Sequence, residues 1–230
     1  MRLDYYLANA TAMSRKDAKQ AISRGQVRID GQPCRQAAHH VATGQHITLR
    51  GQPLSLPGER YLMLNKPAGV VSATTDRDHL TVLSLLPADQ RSNLHVAGRL
   101  DIDTTGLVLL TTDGQWSHRV TSPKVECEKI YRVELAEPMT AEAEQAIETG
   151  LQLHNDARQT RPARVVAVAE TVIELAITEG RYHQVKRMMA AVGNHVVALH
   201  RLQIGAIRLD PALAPGESRP LTGQEIQSVC

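Results

Sequence analysis

Ala97-Gly98-Arg99-Leu100-Asp101-Ile102-Asp103-Thr104-Thr105-Gly106-Leu107-Val108-Leu109-Leu110 is the stretch on which the reading of the fold turns. The apolar run 107–110 is too short for a buried helix and is bounded by Gly106 and by Asp113-Gly114, so it reads as a buried strand. The loop before it then sits at a sheet edge, where rigid strands tend to present catalytic groups. In that loop a cation, Arg99, stands two positions before a carboxylate, Asp101, with Asp103 following. Asp and Thr are also ordinary turn residues, so the context of the motif has to decide between a solvated turn and a site.

Composition narrows that context. A chain of 230 residues, 42% hydrophobic and 22% charged, is globular and long enough for more than one domain. It contains no Phe and one Trp, Trp116, so its cores are built from Leu, Ile, Val and Ala, and any base stacking falls on Tyr, His or Arg. Cys34, Cys127 and Cys230 are far apart and form no Cys-x-x-Cys pair, so neither a zinc site nor a disulfide framework is expected. His39-His40, His195 and His200 lack metal-ligand spacing and read as structural or surface residues. The N-terminus has no apolar signal region and no run approaches the length of a membrane span, so a cytoplasmic protein is expected.

The formal charge of +2 is unevenly spread. Residues 1–50 hold eight Lys or Arg against three Asp, a net +5, while 51–230 hold eighteen basic against twenty-one acidic residues, a net −3. That asymmetry reads as a polyanion-binding module joined to a different body. A short helix is expected over 2–10, then one capped by Ser14, with Ala18, Ala21 and Ile22 on its buried stripe and Gly25 as its stop. Val27 and Ile29 lead into the hairpin turn Asp30-Gly31, and 46–50 closes the sheet. Residues 51–60, with Pro53, Pro57 and no periodicity, read as a linker.

Beyond it, 61–64 is a strand, and a short helix surrounds Trp116 up to Ser122-Pro123. Period-two alternation puts Lys129, Tyr131, Val133 and Leu135 on one face of a strand. A helix over 140–149 stops at Gly150, strands follow at 164–168 and 171–177, and a turn through Gly180 opens a helix closed by Gly193. Strands are expected at 196–201 and 204–209, and Thr222-x-x-Glu225 caps a last helix.

The motif Gly98-Arg-Leu-Asp-x-x-Thr-Thr-Gly-Leu107 resembles the active-site pattern of the pseudouridine synthases, with every fixed position present. The resemblance implies that Asp101, and not Asp103, is the catalytic nucleophile and that Arg99 fills the space left by an extruded base. Asn65-Lys66-Pro67-x-Gly69 also occurs in that family, and Glu128-Lys129-x-Tyr131 matches its segment supplying an active-site Tyr, here Tyr131. His183-Gln-Val-Lys186 matches the family's His-Gln-Leu-Arg, with Lys186 where most members have Arg. Lysine keeps the charge but not the planar fork, and Lys186 is the expected partner of Asp101. By the same resemblance, Lys66, His183 and Arg187 are expected to bind substrate.

Residues 1–50, through Arg-Leu-Asp, Ser-Arg-x-x-Ala, Gly-x-Val-x-Ile-Asp-Gly and Gly-x-x-Ile-x-Leu, resemble the S-four-type RNA-binding domain. Arg15, Lys16, Lys19 and Arg28 are its expected phosphate contacts, which position RNA without reading its sequence. The implied fold class is α+β: a small N-terminal α/β RNA-binding domain, 1–50, joined by the linker 51–60 to a larger, mainly antiparallel sheet domain with peripheral helices, 61–230. The resemblance puts the active-site cleft of that domain between its two halves.

The implied reaction is an isomerisation, which requires no redox cofactor, nucleotide or metal. The segments at 115–123 and 179–188 point to the small-subunit ribosomal RNA branch of the family. Its substrate is one uridine of 16S ribosomal RNA, position 516 in the usual bacterial numbering. The expected partner is therefore ribosomal RNA, free or partly assembled, met by a monomer with no membrane. Alternatives are a different ribosomal RNA site or a non-catalytic assembly factor. A hydrolytic Asp101–Asp103 pair is disfavoured, because carboxylates two residues apart on one loop are poorly placed to flank a bond.

Overall fold

The computed structural model describes residues 1–11, 13–42, 44–56 and 58–229; Pro57 of the expected linker and Cys230 lie outside them, as does the side chain of residue 167. The chain divides into two compact units, Met1–Glu59 and Arg60–Cys230. In the first, α1 (Leu3–Ala10) buries Leu3, Tyr6 and Leu7. The next helix, α2 (Arg15–Ser23), begins at Ser14, whose Oγ accepts from the Asp17 amide, and buries Ala18, Ala21 and Ile22. Strands β1 (Val27–Ile29) and β2 (Gln32–Pro33) are joined through Asp30 and Gly31, at φ +51° and +81°. Two left-handed residues are what a tight hairpin needs.

The expected linker is corrected by the next hairpin. Strand β3 (Ile47–Leu49) pairs with β4 (Gln52–Leu54), Ile47 opposite Leu54, through a turn at Arg50 and Gly51 with φ +51° and +82°. The sheet order is β2-β1-β3-β4. Leu54 packs on the core of this unit, and the Tyr6 hydroxyl donates to its carbonyl at 3.1 Å. Apolar packing and a turn signal thus make a strand of a stretch whose prolines suggested none.

The second unit opens with β5 (Tyr61–Lys66), β6 (His95–Ala97) and β7 (Thr105–Thr111). There follow α3 (Gly114–Thr121), β8 (Lys129–Leu135), α4 (Ala141–Thr149), β9 (Arg164–Ala169) and β10 (Val172–Ile177). The chain then runs through α5 (Gln184–Ala191), β11 (Val196–Ile204), β12 (Ile207–Arg208), β13 (Ser218–Pro220) and α6 (Gly223–Ser228). The sheet order is β13-β5-β7-β11-β8-β10-β9, with β6 on β7 and β12 on β11. Its pairs are antiparallel except β7 with β11. The strands expected at 196–201 and 204–209 are instead one long β11 and a two-residue β12, because the ladder with β8 continues to Ile204 opposite Lys129.

Both faces of the sheet centre are covered. Leu62, Leu64, Val108 and Leu110 join one cluster with Ile147, Val185, Met188 and Met189. Met63, Leu107 and Leu109 join another with Trp116 and Val120. Central strands buried on both faces read as continuous apolar runs, whereas β8 alternates because its outer face is open. Trp116 is buried and donates to the Ile226 carbonyl of α6 at 3.0 Å. Of the cysteines, Cys34 is a free thiol and Cys127 is buried in the core.

Candidate active site

The loop 98–104 connects β6 to β7, and two buried cations fix its backbone. Arg201 of β11 donates from Nη2 to the Gly98 carbonyl at 2.8 Å, from Nη1 to the Arg99 carbonyl at 3.4 Å, and from Nε to the Leu107 carbonyl at 2.8 Å. Lys66, at the end of β5, donates to the carbonyls of Thr104 at 2.6 Å, Pro67 at 3.0 Å and Ile102 at 3.2 Å. Amide contacts complete the frame: Gly69 donates to the Ile102 carbonyl at 2.8 Å, and the Leu100 amide donates to Ser72 Oγ at 3.0 Å. Gly106 is the residue that lets Arg201 come this close. Its φ is +100°, and a Cβ there would stand 2.4 Å from the Arg201 carbonyl oxygen.

This framing corrects the expectation that Lys66 binds substrate. Its side chain is fully buried and all three ammonium protons have carbonyl acceptors. Burial pulls its pKa down to about 8, against the opposing charges of Asp103 and Asp101. A cation there serves the loop, since each freed carbonyl would otherwise be left unsatisfied.

The framed loop presents Asp101 to a cavity of about 680 Å³ whose walls include Arg99, Tyr131, His183, Lys186 and Arg201. Lys186 Nζ lies 3.3 Å from Asp101 Oδ2, and His183 Nε2 lies 3.4 Å from Oδ1. The expected pairing is thus present but shared: Lys186 makes its shorter bonds, 2.6 and 2.8 Å, to the two oxygens of Asp103. Burial works against the Lys186 charge, yet the hydrogen bond to Asp103 and the field of Asp101 outweigh it and raise its pKa. The same hydrogen bond holds the Asp103 carboxyl below its ordinary range. The two aspartates differ in setting, since the Asp101 side chain is 27% exposed and that of Asp103 66%. Tyr131 is buried on β8, and its hydroxyl accepts from Arg201 Nη1 at 3.4 Å.

Lys186 and His183 are delivered by α5 and the segment before it. Arg181 bonds Asp156 at 2.9 Å and Glu179 at 3.2 Å, which ties that segment down. His183 takes a left-handed backbone, φ +47°, and its ring stacks on Tyr182 with centroids 3.8 Å apart. The helix therefore begins at Gln184 from a residue in αL rather than from the glycine turn at 180. Arg187, expected at the substrate, is committed elsewhere: Nη2 donates to Asp156 at 2.8 Å and to the His154 carbonyl at 2.7 Å. It secures α5 against the 154–156 loop.

In the first unit, Lys16 and Lys19 are exposed on α2. Arg15 is held at 3.3 Å by the fully buried Asp4, which also binds Arg2 at 3.0 Å, and Arg28 Nη1 donates to the Gly31 carbonyl at 3.0 Å. Among the described residues no group of three or more His, Cys, Asp or Glu could hold a metal.

Arg201 is the site residue that sequence reading passed over. Its signal was available, since it shares a strand face with buried Leu199, and an arginine there needs acceptors inside the fold.

A strand-bound loop holding a carboxylate beside a cation and a tyrosine, carried on this sheet, defines the class. The family model described as RNA pseudouridylate synthase matches residues 60–191, and that of the S4 domain matches residues 1–47. The chain belongs to the RNA pseudouridylate synthase family. Over 230 residues, covering all of both chains, it is 52% identical to the ribosomal small subunit pseudouridine synthase A of Escherichia coli strain K12. It is 46% identical to the Vibrio cholerae serotype O1 protein of that name, over 229 residues. A solved pseudouridylate synthase superposes with a TM-score of 0.73 at 43% identity, covering 99% of each chain. Among the described residues no helix is long and apolar enough to cross a membrane.

Proposed function

We propose that this protein converts one uridine of small-subunit ribosomal RNA to pseudouridine, with Asp101 as nucleophile. The observation that carries the reading is a carboxylate in a cavity with Lys186 3.3 Å away and Tyr131 on the same cavity wall, in a chain similar over its full length to synthases of that name. The uridine is drawn out of the RNA at a cost of a few kcal/mol, which phosphate contacts from Lys16, Lys19 and the Asp4-anchored Arg15 offset. Arg99, exposed at the rim of the loop, enters the space the base leaves.

Asp101 attacks as its carboxylate, and the Lys186 ammonium stands 3.3 Å from it. The carboxylate bonds to C1′ as the C1′–N1 bond breaks, and the base turns over against Tyr131. C5 then bonds to C1′, Asp101 leaves, and the proton on C5 is lost. Lys66 and Arg201 keep the loop in place, so the attacking oxygen stays within reach. The 16S uridine named by resemblance is the proposed target, and the proposed form is a cytoplasmic monomer.

The test is tritium release from small-subunit RNA labelled at uridine C5. The parent chain releases tritium, and Asp101→Asn lowers release at least about 10³-fold while leaving RNA affinity within a few fold. Full activity in that variant, or none in the parent, overturns the reading.

A further inference from the structure

Lys129 is a cation the fold does not use. It is only 8% exposed at the start of β8, and its ammonium makes no hydrogen bond or ion pair among the described residues. Arg201, 2% exposed, is its charged neighbour, and the four bonds of Arg201 go to three carbonyls and the Tyr131 hydroxyl, all neutral. No carboxylate lies within ion-pair distance of either among the described residues; Asp101 and Asp103 both pair with Lys186 instead. Both cations line the cavity that holds Asp101. The side chain is buried while its Nζ is not among the fully buried unpartnered atoms, so the ammonium opens on the cavity, and burial together with Arg201 pulls the pKa of Lys129 down to about 8.

Lys129 and Tyr131 share one face of β8, roughly 7 Å apart along the strand. A base lying against Tyr131 is therefore within reach of a long side chain two positions away. When the C1′–N1 bond breaks, the electron pair stays with the base, and the uracil leaves as an anion with its charge spread over N1, O2 and O4. Asp101 gives up its own negative charge in bonding to C1′, so the negative charge of the site moves from the carboxylate beside Lys186 to the base beside Tyr131.

We propose that Lys129, with Arg201 behind it, stabilises the detached uracil anion while the base turns over. Lys129 is then a catalytic residue acting by electrostatic preorganisation, and its charge is matched only once the bond has broken. The inference rests on the synthase reading above. It goes further by assigning the charge of the intermediate to Lys129, a motif position to which the resemblance gave no role.

The experiment compares Lys129→Met with the parent in single-turnover consumption of the target nucleoside in two RNAs, one carrying uridine and one 5-fluorouridine, scored by chromatography of the digested RNA. At 5-fluorouridine C5 has no proton to lose, so the reaction stops at the C5–C1′ adduct and loss of the starting nucleoside is the readout. Fluorine makes the departing base more acidic and less in need of a countercharge. Expected for uridine is a rate loss on the order of 10²-fold with RNA affinity within threefold, since removing one such donor costs that much. With 5-fluorouridine the loss shrinks at least about tenfold, and Lys129→Arg retains most of the rate. Removal of an unmatched charge should leave the unfolding temperature unchanged or raised, and Lys129→Gln carries the same measurement if the Met variant does not fold. An equal loss on both RNAs, an undiminished rate, or weakened affinity at unchanged rate, as a phosphate contact would give, overturns the proposal. A parent that converts neither RNA removes the synthase reading itself.

Discussion

Lysines 66, 129 and 186 show how one residue type takes three roles by environment. Lys66 is buried with every proton accepted by a carbonyl, Lys186 is half-buried between two carboxylates, and Lys129 is buried with neither. Replacing Lys66 by Met would leave the Pro67, Ile102 and Thr104 carbonyls without their donor. The expected cost is about 2 kcal/mol in a urea titration, because stranded acceptors are expensive while the ammonium removed was itself poorly solvated. Single-turnover tritium release should fall on the order of 10²-fold, more than stability alone explains, since the loop bearing Asp101 loses its anchor. At this scale the sequence was legible in placement: the motif carboxylate Asp101 does line the cavity with Lys186 beside it. It misled at Lys66 and Arg187, because motif cations next to a site can equally be its scaffolding, and only their acceptors distinguish the two.

Elements differ in how much of their logic is local. The capping box at Thr222 and Glu225, the Ser14 cap and the Asp30-Gly31 turn are satisfied within a few residues, and each lies where its pattern placed it. Glu225 also binds Arg219 at 2.8 Å, and chiefly that contact lowers its pKa from 4.5 to about 2. A carboxyl depressed in the folded state stabilises fully above its unfolded pKa and less as pH falls through its folded one. The contribution is therefore complete above about pH 4.5 and gone near pH 2. After allowance for solvent screening it is on the order of 1 kcal/mol, so Glu225→Gln should lower the unfolding temperature at pH 7 and converge with the parent in acid. The pairing of β7 with β11, by contrast, joins strands about a hundred residues apart at Gly106 and Arg201. Gly106→Ala would drive a methyl against the Arg201 backbone in a left-handed conformation. Destabilisation of about 3 kcal/mol or more is expected in thermal unfolding, with activity falling alongside because Arg201 also holds the 98–104 loop. The continuation of β11 past Arg201 and the strand at Gln52–Leu54 were not legible for the same reason: partner strands supplied them, not their own pattern.

For the molecule as a whole, charge is unevenly divided along the chain. The first fifth carries +5 and the remainder −3. Neutralising Lys16, Lys19 and Arg28 to Gln in the full-length chain should weaken RNA binding and flatten its dependence on salt. The slope of log affinity against log salt should drop by about 0.7 to 0.9 per lost phosphate contact, read from binding isotherms at several ionic strengths. An unchanged slope would exclude those residues from the interface. By itself the sequence determined what is local or compositional: the two-part charge, the helix caps and hairpin turns, the apolar runs of the central strands, and the motif that marks the loop 98–104. Which cations hold the loop, which one is shared by Asp101 and Asp103, and which is left unmatched in the cavity were decided only by tertiary structure. Those outcomes depend on distances between groups up to a hundred residues apart, set by strand pairing and burial, and no spacing along the chain encodes them.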